Sequence, residues 1–186
     1  MELKDAIKVY DNVLPWNIIG NFLRYINLNK FNEARVGHGE VNFNIRKTYT
    51  LPLSNLDNSL SQVHWHNLLY GCFFDFLKRY TKELDIEGYV FEKITDIAVL
   101  KYEQGGFYTW HTDHYNEFPR TLSCILLLNN DYEGGNLSFR DLNKSNERQV
   151  ETKPNRLIVW PSSFLYPHSV KPVIKGTRYS VVAWAV

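Results

Sequence analysis

The sequence is poor in the residues that build cross-linked or membrane-embedded proteins. Cysteine occurs twice in 186 residues, at Cys72 and Cys124, and methionine once. Two cysteines exclude a disulfide scaffold. Each sits in an apolar, aromatic-rich run and reads as a buried free thiol, which points to a reducing, cytosol-like compartment. No window reaches the roughly 18 uninterrupted apolar residues of a membrane span. The opening Met1-Glu-Leu-Lys-Asp5 lacks the apolar stretch of a secretory signal. The expectation is a cytoplasmic protein without membrane attachment. An excess of one charge is also missing, since 21 Lys and Arg against 20 Asp and Glu leave a net charge of +1. That balance excludes a general polyanion-binding coat, and the lack of a basic stripe argues against nucleic acid as a partner. Internal repeats, low-complexity tracts and linker-like stretches are absent, and nothing in the sequence fixes an oligomeric state.

What is present belongs to a folded unit: 44% hydrophobic, 15% aromatic and 22% charged residues, far from the composition of disorder. The length fits one domain spanning residues 1–186. Its first part, to about residue 93, carries the helical signals. One run extends from Pro15 to Leu28, with Pro suited to a first turn. A second extends from Asn55 to Leu84, where Leu60, Val63, Leu68, Cys72, Phe73, Phe76 and Leu77 recur near helical spacing and predict an apolar stripe packed on a sheet. From about residue 94 the pattern changes to short β-rich runs: Ile94–Tyr102, Phe107–His111, Thr121–Leu128, Leu137–Arg140, Gln149–Thr152, Arg156–Trp160 and Thr177–Val186. Gly105-Gly106, Asn129-Asn130, Gly134-Gly135, Pro161, Pro167, Pro172 and Gly176 punctuate them. This spacing predicts a sandwich or barrel of antiparallel strands, with alternate side chains aimed inward. The fold class is therefore mainly β with flanking N-terminal α-helices.

The inward set is where chemistry is to be sought. In His111-Thr112-Asp113 a spacing of two puts imidazole and carboxylate on one face of a strand or its extension, and His168 offers a third ligand. Two His and one carboxylate leave open coordination positions, as in non-haem Fe(II) oxygenases. Arg178 follows His168 by ten residues and Ser180 shares its strand face. A buried Arg needs an anion, and a dicarboxylate cosubstrate supplies one, its far carboxylate on the guanidinium and its other end on the metal. Tyr102 can add a phenolic donor from a neighbouring strand. The other histidines are less apt. His64 and His66, two apart on a helix, point to different faces, and His114 is turned away from the ligand face by alternation. Gly134-Gly135 lacks the residues of a phosphate loop and reads as a turn.

Taken together, Tyr102-Glu-Gln-Gly-Gly-Phe-Tyr108, His111-Thr-Asp113, Arg120-Thr-Leu-Ser-Cys-Ile-Leu-Leu-Leu-Asn129, Glu133-Gly-Gly135 with Phe139, and His168 with Arg178 and Trp184 resemble the 2-oxoglutarate- and Fe(II)-dependent dioxygenases. Within that family they are most similar to the prolyl 4-hydroxylase-like branch, over residues 94–186. The resemblance implies a double-stranded β-helix (jelly-roll) core in residues 94–186, with residues 1–93 as helical support and substrate-side strands. It implies His111, Asp113 and His168 as iron ligands and Arg178 and Tyr102 on the distal carboxylate of 2-oxoglutarate. Ser123, Leu127 and Ser180 would line the cosubstrate pocket, and Trp184 would form a wall near the iron. The implied cofactors and cosubstrates are Fe(II), 2-oxoglutarate and O2, with ascorbate as a further candidate that would rescue oxidised iron. The implied reaction is decarboxylation of 2-oxoglutarate to succinate coupled to hydroxylation of a C–H bond, foremost that of a prolyl residue in a peptide or protein. Leu127 departs from relatives that have Tyr there, and Arg178 from collagen-type members that have Lys.

For the substrate side, Tyr108 and Trp110 are the aromatic candidates and Arg120 and Arg46 the polar ones, with Asn116 and Glu117 similarly placed. Arg46 lies in a Val36–Tyr49 segment whose Gly37-His38-Gly39 reads as a mobile loop over the pocket. Two alternatives stay open: the same oxygenase chemistry on a nucleobase, free amino acid or other small molecule, and a non-catalytic β-barrel that binds a ligand without turnover.

Overall fold

Alternation along the central strands decides the architecture, because it gives the protein two cores rather than one. The computed structural model describes residues 2–36, 39–54, 59–88, 90–117 and 119–186. In chain order the elements are β1 (Lys8–Asp11), α1 (Trp16–Asn27), β2 (Asn32–Glu33), β3 (Arg46–Lys47), β4 (Tyr49–Pro52), α2 (Leu60–Glu83), β5 (Ile94–Tyr102), β6 (Phe107–His111), β7 (Leu122–Leu127), β8 (Glu133–Gly134), β9 (Leu137–Arg140), β10 (Glu147–Val150), β11 (Arg156–Pro161), β12 (His168–Val170), β13 (Val173–Lys175) and β14 (Arg178–Ala185). A seven-stranded sheet runs β1-β11-β7-β14-β5-β4-β2, a five-stranded sheet runs β10-β9-β12-β6-β3, and β13 pairs with β8. All pairings are antiparallel. This is the β-rich, helix-flanked jelly roll expected from the pattern of short strands.

Strand β7 is buried along its whole length, which requires cover on both faces. Leu122, Cys124 and Leu126, with Val181, Ala183 and Ala185 of β14 and Leu157 and Val159 of β11, face the helices. Their neighbours Ile125 and Leu127, with Val182 and Ile158, face the second sheet. The helical cover comes from Ile19, Phe22 and Ile26 of α1 and from Trp65, Leu69, Phe73, Leu77 and Tyr80 of α2. The α2 stripe therefore differs from the expected one: Leu60 is exposed, and the buried face is a run at intervals of four, four, four and three residues. Ser59 caps the helix by accepting the Gln62 N–H on its Oγ at 3.1 Å, and packing on α1 and the large sheet selects the face that carries Trp65, Leu69 and Tyr80. Residues 55–58 of the expected helix lie outside the described residues. No helix among the described residues is long and apolar enough to cross a membrane.

The N-terminal strand β1, which periodicity did not reveal, closes one edge of the large sheet. Asp11 and Arg156 are register partners, and the guanidinium grips the carboxylate in a fork, Nε to Oδ1 at 2.7 Å and Nη2 to Oδ2 at 3.0 Å. Hydrogen bonding from Arg156 holds the Asp11 carboxyl down at about 2, well below its ordinary value. A carboxyl with a depressed folded pKa contributes stability that is complete above its unfolded pKa and lost as pH falls through the folded one. Asp11→Asn is therefore expected to cost about 1–2 kcal/mol in urea unfolding at pH 7. The difference from wild type should shrink between about pH 4 and pH 2; a constant difference across that window would contradict the pairing.

Candidate metal centre and ligand cleft

Three ligand-type side chains converge between the sheets. His111 ends β6 and His168 begins β12, and the two are register partners. Asp113 lies two residues past β6, where the chain has left the ladder and the carboxylate can turn back toward both rings. The donor atoms of His111, Asp113 and His168 all lie within 4.8 Å of one another. His111 Nε2 stands 3.8 Å from Asp113 Oδ1 and His168 Nε2 3.4 Å from Asp113 Oδ2.

Each ligand atom is held by a neighbour. The Nδ1 of His111 bonds to the Thr109 carbonyl at 2.8 Å and that of His168 to the Tyr166 carbonyl at 3.1 Å. Both rings then carry their proton on Nδ1 and turn an Nε2 lone pair inward, as metal-ligating histidines do. Ser123 Oγ donates to Asp113 Oδ2 at 2.7 Å and contacts Ser162 Oγ at 2.7 Å. Ser123 thus supports the carboxylate. Trp184 lines the same cleft and adds to the forces that keep the Asp113 carboxylate ionised. Burial pushes the Asp113 carboxyl up, but His168 and His111, with Ser123 and Trp184, outweigh it and hold it below the usual range. Burial, reinforced by His168, pushes His111 down to about 3, so it is a neutral ligand at physiological pH. Two imidazoles and one carboxylate on a single side of a cavity form the donor set of a divalent transition metal with open positions.

Across the barrel interior lies a buried cation. Arg178 is fully buried on β14, opposite Tyr102 of β5. Its Nη1 donates to Ser180 Oγ at 2.9 Å, its guanidinium lies 5.2 Å from the Tyr102 ring centroid, and Nε and Nη2 have no partner among the described residues. Leu127 faces the same interior as the register partner of Ser180. Gly134-Gly135, expected to be a turn, also gives Arg178 its room. A Cβ on Gly135 would stand 3.0 Å from Arg178 Cδ, and one on Gly134 only 2.4 Å from the Pro172 carbonyl. A charge buried without a partner costs several kcal/mol. The two unsatisfied nitrogens therefore fit a ligand that brings its own carboxylate.

Between the triad and the surface lies a cleft of about 190 Å3, lined by His111, Asp113, His168, Tyr102, Tyr108, Trp160 and Trp184 among others, with Arg35, Arg46 and Arg120. Tyr108 stacks on His111 with ring centroids 3.6 Å apart, and the Arg46 guanidinium covers the other side of Tyr108 at 4.6 Å. Arg120 sits 3.7 Å over the Trp184 ring. Trp110 is not in this lining. A β-bulge in β6, where the pairing with β12 shifts between Tyr108–Val170 and His111–His168, brings Tyr108 and His111 to the inner side together and turns Trp110 to the outer face of the small sheet, where Arg140 and Lys171 flank it at 4.3 and 4.8 Å. Asn116 and Glu117 are exposed and outside the lining. The Gly37-His38 part of the loop lies outside the described residues. Sequence reading missed Arg35, Trp160, Ser162 and Gly135; only for Gly135 did a signal exist, in the Gly-Gly pair itself.

These contacts predict a graded response to metal. In titrations with Fe(II) under anaerobic conditions or with Mn(II), Asp113→Ala is expected to abolish stoichiometric binding, whereas Ser123→Ala should weaken it about 10–100-fold with the fold unchanged by circular dichroism. Undiminished affinity in Asp113→Ala would remove the triad as a metal centre.

Residues 97–186 match the family model described as the 2OG-Fe(II) oxygenase superfamily. A PKHD-type hydroxylase from Synechococcus sp. (strain CC9902) is 37% identical over 98 residues, 50% of this chain and 41% of that protein. Prolyl 3-hydroxylase 1 of Gallus gallus is 38% identical over 66 residues, 35% of this chain and 9% of that protein. The chain thus spans less than half the length of these curated relatives. Among solved structures, a Trichoplax adhaerens prolyl hydroxylase in complex with a hypoxia inducible factor peptide fragment superposes with a TM-score of 0.77 at 20% identity, covering 97% of this chain and 83% of that one. A Pseudomonas putida prolyl-4-hydroxylase gives 0.71 at 22% identity over 97% and 92%. At such identities these likenesses speak for the fold. The matched segment, just under half of the chain, contains the whole triad, Arg178 and Trp184, and it is this part of the chain that is similar to the 2OG-Fe(II) oxygenase superfamily.

Proposed function

We propose that this protein is a 2-oxoglutarate-dependent dioxygenase that hydroxylates prolyl residues of a peptide or protein. The observation that carries the reading is the pairing, inside one barrel, of a two-His, one-Asp cluster with a fully buried Arg whose Nε and Nη2 lack partners. His111, Asp113 and His168 would hold Fe(II). Arg178 would bind the distal carboxylate of 2-oxoglutarate, with Tyr102 and Ser180 beside it and Leu127 as an apolar wall. Bound together, iron, 2-oxoglutarate and O2 supply the oxidising chemistry that yields succinate and a hydroxylated C–H carbon.

The side chains supply position and shelter. The triad would hold a metal from one side, with the cleft on the other. Arg178 would hold the far carboxylate of the cosubstrate by a charge-assisted fork. Leu100, Ile125, Leu137 and Val182 make the interior apolar and keep water away from the reacting centre. Tyr108 locks the His111 ring by stacking, while Ser123 aims the Asp113 carboxylate. No side-chain general base is required at the oxidised carbon, and among the described residues lining the cleft no carboxylate or imidazole lies outside the triad.

Residues 1–186 would work as one domain, with residues 1–93 as support and cleft mouth and residues 94–186 as the metal-binding core. The prolyl assignment draws on the names of the relatives, which act on proline in several cases. A cytoplasmic setting suits the two free thiols, and burial pushes Cys72 up to about 12, out of reach of reaction at neutral pH. Ascorbate would serve as reductant of oxidised iron.

Succinate formation under air with Fe(II) and 2-oxoglutarate, with and without ascorbate, should rise on addition of proline-containing peptides that gain 16 daltons, the mass of one oxygen atom (~16). His111→Ala and Asp113→Ala should abolish turnover. Arg178→Ala should raise the 2-oxoglutarate KM about 10²–10³-fold. Full activity in a ligand variant, or an unchanged KM in Arg178→Ala, would overturn the assignment of that residue. Specific binding of 2-oxoglutarate without succinate from any substrate would favour a non-catalytic barrel.

A further inference from the structure

We propose that the peptide this cleft accepts is acidic, with a carboxylate side chain adjoining the residue that is oxidised. This rests on the reading of the site as a peptide-modifying oxygenase and deepens it.

The protein as a whole is nearly neutral, at +1, yet three arginines gather at the mouth of the cleft: Arg35, Arg46 and Arg120. They do not have equal prospects. Arg120 faces Asp96 at 3.5 Å and bonds to the Asp113 carbonyl, so part of its charge is already answered within the protein. Asp96 reaches that position because it is a bulged residue, with φ of 53°, where the β5–β14 register shifts. Arg35 and Arg46 have no such partner: neither makes an ion pair with a described residue. Arg46 Nη1 donates only to the Arg35 carbonyl, at 3.2 Å, and its Nε is buried without a hydrogen bond. That backbone bond ties the two arginines together, so their side chains emerge from adjoining points on the same rim.

Arg46 is also held in place. Its guanidinium stands 4.6 Å over Tyr108, which stacks on the ligand His111 at 3.6 Å. A charge-bearing group is thus fixed one ring away from the metal cluster. Among the described residues the only carboxylate lining the cleft is Asp113, already committed to the triad, and the adjoining pocket of about 240 Å3, which shares Arg35 and Arg46, adds only Asp96. The unanswered charge at the mouth is therefore positive. The segment leading into Arg46 exposes Val41, Phe43 and Ile45 by 40–49%, an apolar strip that suits a chain of residues better than a small free acid. Cationic and apolar groups side by side select a peptide carrying both kinds of complement.

The test compares three labelled peptides of identical length around one proline, flanked by Glu, by Gln or by Lys, measured by fluorescence anisotropy and by hydroxylation with Fe(II) and 2-oxoglutarate. Wild type is expected to favour the Glu peptide over the Lys peptide by about 30-fold or more, in Kd and in kcat/KM. Arg35→Glu and Arg46→Glu should each reduce that ratio about tenfold, and the double variant should reverse the preference. Arg35 is exposed, so its variant carries the test even if Arg46→Glu disturbs Tyr108. A Glu-to-Lys ratio near one in wild type, or a ratio unmoved in both variants, would overturn the inference while leaving the oxygenase reading intact. A charge preference in binding with no peptide hydroxylated would leave the acidic site standing and overturn the hydroxylation reading instead.

Discussion

The register between β7 and β14 is the constraint from which the rest of the interior follows. Ser180 opposite Leu127 and Trp184 opposite Ser123 are fixed pairs of one ladder. The same ladder sends Val181, Ala183 and Ala185 to the helices. A slip of one residue would turn Arg178, Ser180 and Trp184 outward together and drive small apolar residues into the cleft. Such a slip is resisted from both sides, because α1 and α2 cover one face and the second sheet covers the other. The helices thus have a role in the site without touching it: they make the wrong register expensive.

Within that frame the site gathers charges that the fold alone does not balance. Asp113 has a protein donor in Ser123, and its carboxylate is ionised despite burial. Arg178 has one donor bond answered by Ser180 and two nitrogens unanswered. These two groups oppose each other across the interior rather than pairing. A fold optimised only for stability would bring them together or replace them with apolar residues. A metal ion on the triad and a carboxylate on Arg178 would answer both charges, and ligands that bind only the folded state add to its stability by mass action.

Much of this was legible in the sequence, for physical reasons that differ from residue to residue. The bounds of β5, β6 and β9 follow from β-rich runs ended by Gly, Pro or Asn, and His111-Thr-Asp113 stands out because ligand spacing is local. Strand β1 was not visible, since Lys8–Asp11 is short and mixed in polarity; it forms by pairing with β11 and by burying Tyr10, with Asp11 and Arg156 as one of four register pairs. The outward turn of Trp110 depends on the β-bulge between Tyr108 and His111, which simple alternation does not foresee. Arg35 gave no sign, because its value lies in what sits opposite it in space. The buried face of α2 is chosen by the α1 and sheet residues packed on it, and because apolar residues occupy more than one face of that helix, spacing alone does not say which is inside.

The placement of two of the five tryptophans gives the site an optical consequence. The Trp160 ring lies edge-on to the His168 ring at 5.0 Å, and Trp184 lines the same cleft as Asp113. Both fluorophores thus line the cavity that holds the ligand cluster, close enough for an open-shell ion to quench them strongly, while the indole of Trp65 is packed away under α1 against Phe22. The protein's own ultraviolet emission should therefore divide into a part that follows the state of the cluster and a part that does not, an internal ratio that needs no attached dye.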